Sequence, residues 1–142
     1  FAFGNANSTI GRYLSQAMLI KAGIYAKDLS HFDYLGRHDK VAYAVGLGDY
    51  DAGAVKEKAY LHENKKGTIR SLAYMDNITQ PWVVRAGIQS AVFSRLQTSL
   101  INIKDIKVLK PLKISGFTLS DDAMYDFVRQ GIEQASSFDR QQ

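Results

Sequence analysis

Residues 1–23, FAFGNANSTIGRYLSQAMLIKAG, predict a β-strand, a polar turn and an α-helix in that order. The strand is a short apolar run that stops at Gly4, and the polar turn covers residues 5–9. Apolar side chains then recur at helical spacing as far as Gly23, a residue type that commonly ends helices. A strand followed directly by a helix favours an α/β fold built on a largely parallel sheet.

The rest of the chain repeats this order and then becomes helical. Four further apolar runs predict strands, at residues 32–35, 51–55, 69–74 and 82–85. Helical spacing predicts four more helices, at residues 41–46, 56–63, 91–100 and 124–132, the last of them capped by Ser120 or Asp121. We therefore expect an α/β ligand-binding unit over residues 1–86 and a helical segment over residues 87–142.

The composition is that of one ordinary globular domain. The chain has 142 residues, of which 46% are hydrophobic and 23% are charged, and a chain of this length buries roughly 68% of its surface on folding. It contains no cysteine, which excludes disulfides, thiolate catalysis and cysteine-bound zinc. No apolar run reaches the roughly 20 residues of a membrane span, so we expect no membrane insertion by this segment.

The basic excess is mild and does not indicate binding to nucleic acid. The net charge is +4, and the densest basic stripe consists of Lys104, Lys107, Lys110 and Lys113. Pro111 interrupts this stripe, and no arginine or aromatic residues alternate with it, so a solvated face is the favoured interpretation. The histidines lie far apart in the sequence without paired-ligand spacing, so we expect no metal site.

The turn between the first strand and the first helix is the strongest candidate binding site. A helix start offers unpaired backbone N–H groups and a partial positive charge. The hydroxyls of Ser8 and Thr9, with Asn7 beside them, could therefore complete a cradle for an oxyanion. The alternative is that Asn7, Ser8 or Thr9 only caps the helix. The turn has neither the Gly-Lys-Ser/Thr ending of a P-loop nor the glycine pattern of a dinucleotide fold.

A second loop, GRHD at residues 36–39, also lies between a predicted strand and a helix start. His38 could donate a hydrogen bond to an anion, and Asp39 could cap the helix or orient the imidazole ring. The alternative is a surface histidine beside a capping aspartate. Because ligands of open parallel sheets bind outside the carboxyl ends of the strands, we expect both loops to face one crevice.

The sequence holds no recognisable catalytic constellation. Ser8, His38 and Asp39 do not readily form a triad relay, because the histidine and the aspartate are neighbours, and no Gly-x-Ser-x-Gly elbow is present. We therefore expect a binding module that uses no cofactor and is not an enzyme.

Five segments carry a family resemblance: FAFGNANSTIGRYL (1–14), LGRHDKVAYAV (35–45), GDYDAGAVKE (48–57), ITQPWVVR (78–85) and ISGFTLSDDAMYDFVR (114–129). In this order they resemble the periplasmic phosphonate-binding proteins of ABC transporters, with their phosphate- and phosphite-binding relatives and related sensor ectodomains. The resemblance implies a type II periplasmic binding protein, in which two α/β lobes close on a ligand. Each lobe is a three-layer arrangement, with a mainly parallel sheet and helices on both faces.

The resemblance also implies which part of that fold is present and which residues bind. The chain resembles the second lobe followed by C-terminal helices that pack on the first lobe, while most of the first lobe is missing. Ser8 and Thr9 match the hydroxyl pair that binds phosphonate oxygens, and His38 matches the histidine that assists them. Such proteins are periplasmic or extracytoplasmic.

Several positions depart from the family pattern and bear on the ligand. Ile10 stands in the place of a second serine, and Gln80, a candidate ligand residue, stands where aminophosphonate binders place a carboxylate. Lys56 and Lys58 stand where those binders have Asn and Glu. A desolvated substrate ammonium needs an anionic partner. We therefore expect weak binding of aminoalkylphosphonates and a simpler oxyanion, such as phosphate, phosphite or an alkylphosphonate, as the ligand.

Two functions fit these expectations. The first is a solute-binding module that captures a small oxyanion and presents it to an ABC permease. The alternative is an extracytoplasmic sensing domain whose closure acts on a signalling module, such as a histidine kinase.

Overall fold

The computed structural model describes residues 1–75 and 81–139. The chain forms two compact units, a first unit made of Phe1–Asn77 and Tyr125–Gln142 and a second unit made of Ile78–Met124. None of the helices in the described ranges is long and apolar enough to cross a membrane.

The sheet of the first unit is short and parallel. Strand β1 (Ala2–Phe3) pairs with strand β2 (Asp33–Tyr34), with Ala2 opposite Asp33 and Phe3 opposite Tyr34. On its other side, Ala2 forms a parallel bridge with Gly53. The Ala2 N–H donates to the Ala52 carbonyl at 2.9 Å, and the Ala54 N–H donates to the Ala2 carbonyl at 2.9 Å. Consequently β1 is central, and the third predicted strand is reduced to this single bridge.

The helices of the first unit follow the strands as the sequence predicts. A π-helical segment (Thr9–Leu14) continues into α1 (Ser15–Lys21). Helix α2 (His38–Leu47) follows β2 and ends at Gly48, whose φ of 85° is easily adopted only by glycine. Helix α3 (Glu57–Glu63) follows the bridge segment. These strand-to-helix connections confirm the α/β class.

Helix α6 (Asp126–Ala135) returns to the first unit and closes its core. It packs on the π-helical segment and on α1, at a place where a Cβ added to Gly131 would lie 2.5 Å from Cδ2 of Leu14. Beyond α6, the fully buried ring of Phe138 meets that of Phe3 edge to face at a centroid distance of 5.7 Å. The predicted boundary at residue 86, and the predicted docking of residues 87–142 on another lobe, stay predictions.

The second unit contains helices α4 (Ser90–Ile101) and α5 (Ile106–Leu112). Helix α4 confirms the helix predicted over residues 91–100, whereas α5 was not predicted because Pro111 interrupts its lysine stripe. The proline occupies the last turn, and Asp105 caps the first turn by accepting a hydrogen bond from the Lys107 N–H at 2.8 Å. The helix is therefore short but has a defined beginning.

Two predicted strands are absent from the described residues. Residues 69–74 and 82–85 have no regular secondary structure, so the prediction of strands there is wrong. Leu72 is 76% exposed and Val83 is 82% exposed. Strand-forming residues make a strand only when a partner strand is available, and within residues 1–75 and 81–139 neither run pairs with one.

Candidate anion-binding site

The cradle turn, residues 5–9, lies directly after β1 and is organised by its own hydrogen bonds. The side-chain oxygen of Asn5 accepts from the Asn7 N–H at 2.8 Å. The Asn5 carbonyl accepts from the Ser8 N–H at 2.9 Å. The asparagine side chain thus forms a local turn that leads the chain into the π-helical segment, a helix type that occurs frequently at functional sites.

Ser8 caps the helix, as one of the two sequence interpretations holds. Its backbone is extended, with φ −87° and ψ 128°, and its Oγ accepts a hydrogen bond from the Gly11 N–H at 3.0 Å. Within residues 1–75 and 81–139, the Ser8 hydroxyl proton, the Thr9 hydroxyl and the N–H groups of Thr9 and Ile10 have no acceptor. Capping and anion binding are therefore compatible here, because the cap uses only the oxygen of Ser8.

Two glycines bring the cradle turn against helix α2. The Gly4 N–H donates to the Gly11 carbonyl at 2.7 Å, which holds the end of β1 against the start of the helix. A Cβ added to Gly11 would lie 3.1 Å from the Oγ of Ser8 and 3.2 Å from Cε1 of His38. The serine hydroxyl and the imidazole predicted to act together therefore both lie against one small residue, Gly11.

His38 is the first residue of α2 and is half-buried. Burial lowers the pKa of its imidazole below the ordinary 6.5, and the charge of Lys56 lowers this pKa further, against an opposing effect of the Ala54 backbone. Its Nδ1 is shielded from solvent and has no hydrogen-bond partner among the described residues. The lowered pKa favours the neutral imidazole, which carries a single N–H.

Lys56 adds a positive charge to the same edge of the sheet. It immediately precedes α3, is exposed, and follows the segment that bridges to β1. Because that segment and β2 both run parallel to β1, their ends lie at one sheet edge with Gly4, and the Gly36 N–H donates to the Gly4 carbonyl at 3.1 Å. Sequence reasoning identifies Lys56 only as a departure from a family pattern and does not place it at the candidate site.

Two other predicted site residues, Asp39 and Asn7, are exposed. Asp39 is exposed and pairs with the guanidinium of Arg37, with Nε donating to Oδ1 at 2.9 Å. The hydrogen bond from Arg37 lowers the pKa of Asp39. Asp39 also accepts from the Lys40 N–H at 3.0 Å, so it satisfies a first-turn amide, but it makes no hydrogen bond to His38 among the described residues. Asn7 is exposed in the turn, and Gln80 lies outside the described residues.

The loops of this α/β unit place helix-start amides, hydroxyls, an imidazole and a lysine at the carboxyl edge of a parallel sheet, and these are groups that suit an anion. The sequence model of the family described as "ABC transporter, phosphonate, periplasmic substrate-binding protein" matches residues 1–125. The chain belongs to this family, which confirms the resemblance seen in the sequence. Its members are extracytoplasmic binding components and not enzymes, so the protein is extracytoplasmic.

One curated relative shows how much of such a protein is present. The chain is 28% identical over 121 residues to the "Probable ABC transporter phosphite binding protein PhnD1" of Prochlorococcus marinus (strain MIT 9301). The match covers 75% of this chain and 40% of the relative. The chain therefore spans two fifths of the length of the curated relative that it matches.

Proposed function

We propose that the chain supplies part of an oxyanion pocket in the solute-binding protein of an ABC transporter. The observation that carries this proposal is the set of unpartnered donors at the cradle turn, placed beside the imidazole of His38. Hydrogen bonds to a charged group contribute roughly 1.5–3 kcal/mol each, so a few of them suffice to hold a small anion. The family match favours this transporter function over a sensing domain.

The intact protein would hold the anion between two lobes. In this proposal the first unit is the core of one lobe, whose sheet extends into the three-layer arrangement of a type II periplasmic binding protein. The opposite lobe would complete the pocket, and the closed form would be presented to the permease. The cradle turn, His38 and Lys56 would face the closing lobe, because all three follow strands at one sheet edge.

The charges at this edge favour phosphite, phosphate or a simple alkylphosphonate over an aminoalkylphosphonate. Lys56 repels a substrate ammonium, and the carboxylate of Asp39 is already neutralised by Arg37. The name of the curated relative, a phosphite binding protein, agrees with a small ligand of this kind. Calorimetry on the full-length protein should show tighter binding of phosphate or phosphite than of aminoethylphosphonate. Tighter binding of aminoethylphosphonate would contradict the proposed ligand class.

The substitution Thr9→Val tests the cradle itself. The Thr9 hydroxyl has no partner among the described residues, so its removal should leave the free energy of unfolding nearly unchanged. If the hydroxyl binds the anion, affinity for phosphite or phosphate should fall by about one to two orders of magnitude. The matched control is Thr98→Val on the exposed surface of α4, which should change neither quantity. If Thr9→Val binds the anion with wild-type affinity, the Thr9 hydroxyl does not contribute to the site.

A further inference from the structure

Arg12 connects the cradle turn to the core of the first unit. Its Nη1 donates to the Ala6 carbonyl at 2.9 Å, and its Nε donates to the side-chain oxygen of Gln16 at 3.3 Å. The guanidinium carbon lies 4.9 Å from the ring centroid of Tyr13 and 5.4 Å from that of Tyr34. The guanidinium is therefore fixed in position and direction by two aromatic contacts and two hydrogen bonds.

The support behind Arg12 is itself rigid. Gln16 is fully buried, and its side-chain nitrogen donates to the hydroxyl of Tyr34 at 3.0 Å. Tyr34 belongs to β2, and its ring stacks on that of the fully buried Phe3 at a centroid distance of 5.5 Å. A chain of contacts thus runs from the aromatic core to the Ala6 carbonyl at the tip of the turn.

The Arg12 bond is the single hydrogen bond that ties the tip of the turn, residues 5–7, to any described residue beyond Ser8. The other bonds of the tip join Asn7 and Ser8 to Asn5, so they stay within the turn. Without an external tie, the turn would open more readily, so that its internal bonds to Asn5 would break more often and the hydroxyls that follow it would lose their common direction. Hydrogen-bond donors bind an anion well only when they are held in place beforehand.

We propose that Arg12 is a positioning residue for the oxyanion site, because its guanidinium fixes the cradle turn through the Ala6 carbonyl. This inference rests on the proposed function of the turn. The role requires arginine and not only a positive charge, since one planar group reaches Gln16 and Ala6 at the same time. Lysine carries the same charge on a single nitrogen and cannot reproduce both bonds in this geometry.

The test compares Arg12→Lys with Arg95→Lys in the full-length protein. Arg95 is exposed on α4 of the second unit and provides the same chemical change outside the turn. Calorimetry with inorganic phosphite and with inorganic phosphate measures affinity. Amide hydrogen exchange in the unliganded protein measures how firmly Asn7 and Ser8 are held. Arg12→Lys should weaken binding at least tenfold and accelerate exchange at both amides, whereas Arg95→Lys should do neither.

Any other outcome of these measurements contradicts either the positioning role of Arg12 or the proposed function. If the wild-type protein binds phosphite or phosphate and Arg12→Lys binds equally well, the positioning role is wrong while the proposed function stands. If the wild-type protein binds neither anion nor a simple alkylphosphonate, the proposed function fails and this role fails with it. Loss of affinity without faster exchange at Asn7 and Ser8 would also overturn the inference. If Arg12→Lys does not fold, Arg12→Met, which keeps an unbranched side chain but has no hydrogen-bond donor, takes its place in the exchange and affinity measurements.

Discussion

The substitution Gly11→Ala should disturb the site and the fold together, because no space exists for one added methyl group. A Cβ at this position would lie 2.9 Å from Cα of Gly4, which is backbone and cannot turn aside. It would also press on the Oγ of Ser8 at 3.1 Å and on Cε1 of His38 at 3.2 Å. Overpacking of this kind costs about 1–3 kcal/mol. Loss of the bond from the Gly11 N–H to Ser8 would add about 1 kcal/mol.

Urea unfolding and calorimetry on the full-length protein measure the two consequences. The free energy of unfolding should fall by about 2–4 kcal/mol, and affinity for phosphite or phosphate should fall at least tenfold, which corresponds to about 1.4 kcal/mol. The control is Gly87→Ala, whose nearest described neighbour is the mobile end of Arg85, with Nη1 at 3.2 Å. If Gly11→Ala has the same free energy of unfolding and the same affinity as the wild-type protein, the close packing described for the site is refuted.

Two further predictions concern pH and helix packing. Since burial lowers the pKa of His38 below 6.5, the unfolded chain takes up a proton below that pH before the folded protein does, so stability should fall as pH decreases from about 6.5. Urea midpoints measured at pH 5–7.5 should show this loss of stability in the wild-type protein and a smaller loss in His38→Gln. If the midpoints of both proteins depend equally on pH, the lowered pKa of His38 is contradicted. Gly131→Ala should destabilise the protein by about 1–2 kcal/mol, because overpacking against Leu14 outweighs the gain in helix propensity. The loss of stability caused by Gly131→Ala should largely disappear when Leu14 is also replaced by alanine. If the loss persists in that double variant, the clash is not with Leu14.

Local features of the first unit were predictable from sequence because one stretch of chain decides them. The strand before Gly4 and the helices ended by Gly23 and Gly48 depend on spacing and on a terminating glycine, and the structure has each of them. Asp121, one of the two caps predicted for the last helix, accepts from the Met124 N–H at 3.1 Å and so caps the 3₁₀ turn Asp122–Tyr125 that precedes α6, not α6 itself.

Features that depend on distant partners were not predictable in this way. Residues 69–74 have strand-forming composition, but a strand also needs a neighbour, and sequence does not say whether one is there. The contact of Gly11 with His38 joins positions far apart in the chain, so the pattern could suggest a common crevice but not the arrangement at that glycine. Arg12 gave no motif signal, because its role depends on a carbonyl at the turn and on a tyrosine from another strand.

The return of α6 has a consequence for synthesis on the ribosome. The aromatic cluster around Phe3 is completed by Phe138, which is translated only after the whole second unit. The apolar faces of β1 and α1 therefore stay exposed to solvent during synthesis, because Phe138 emerges more than a hundred residues after them. During that interval the emerging polypeptide is exposed to aggregation and to capture by chaperones.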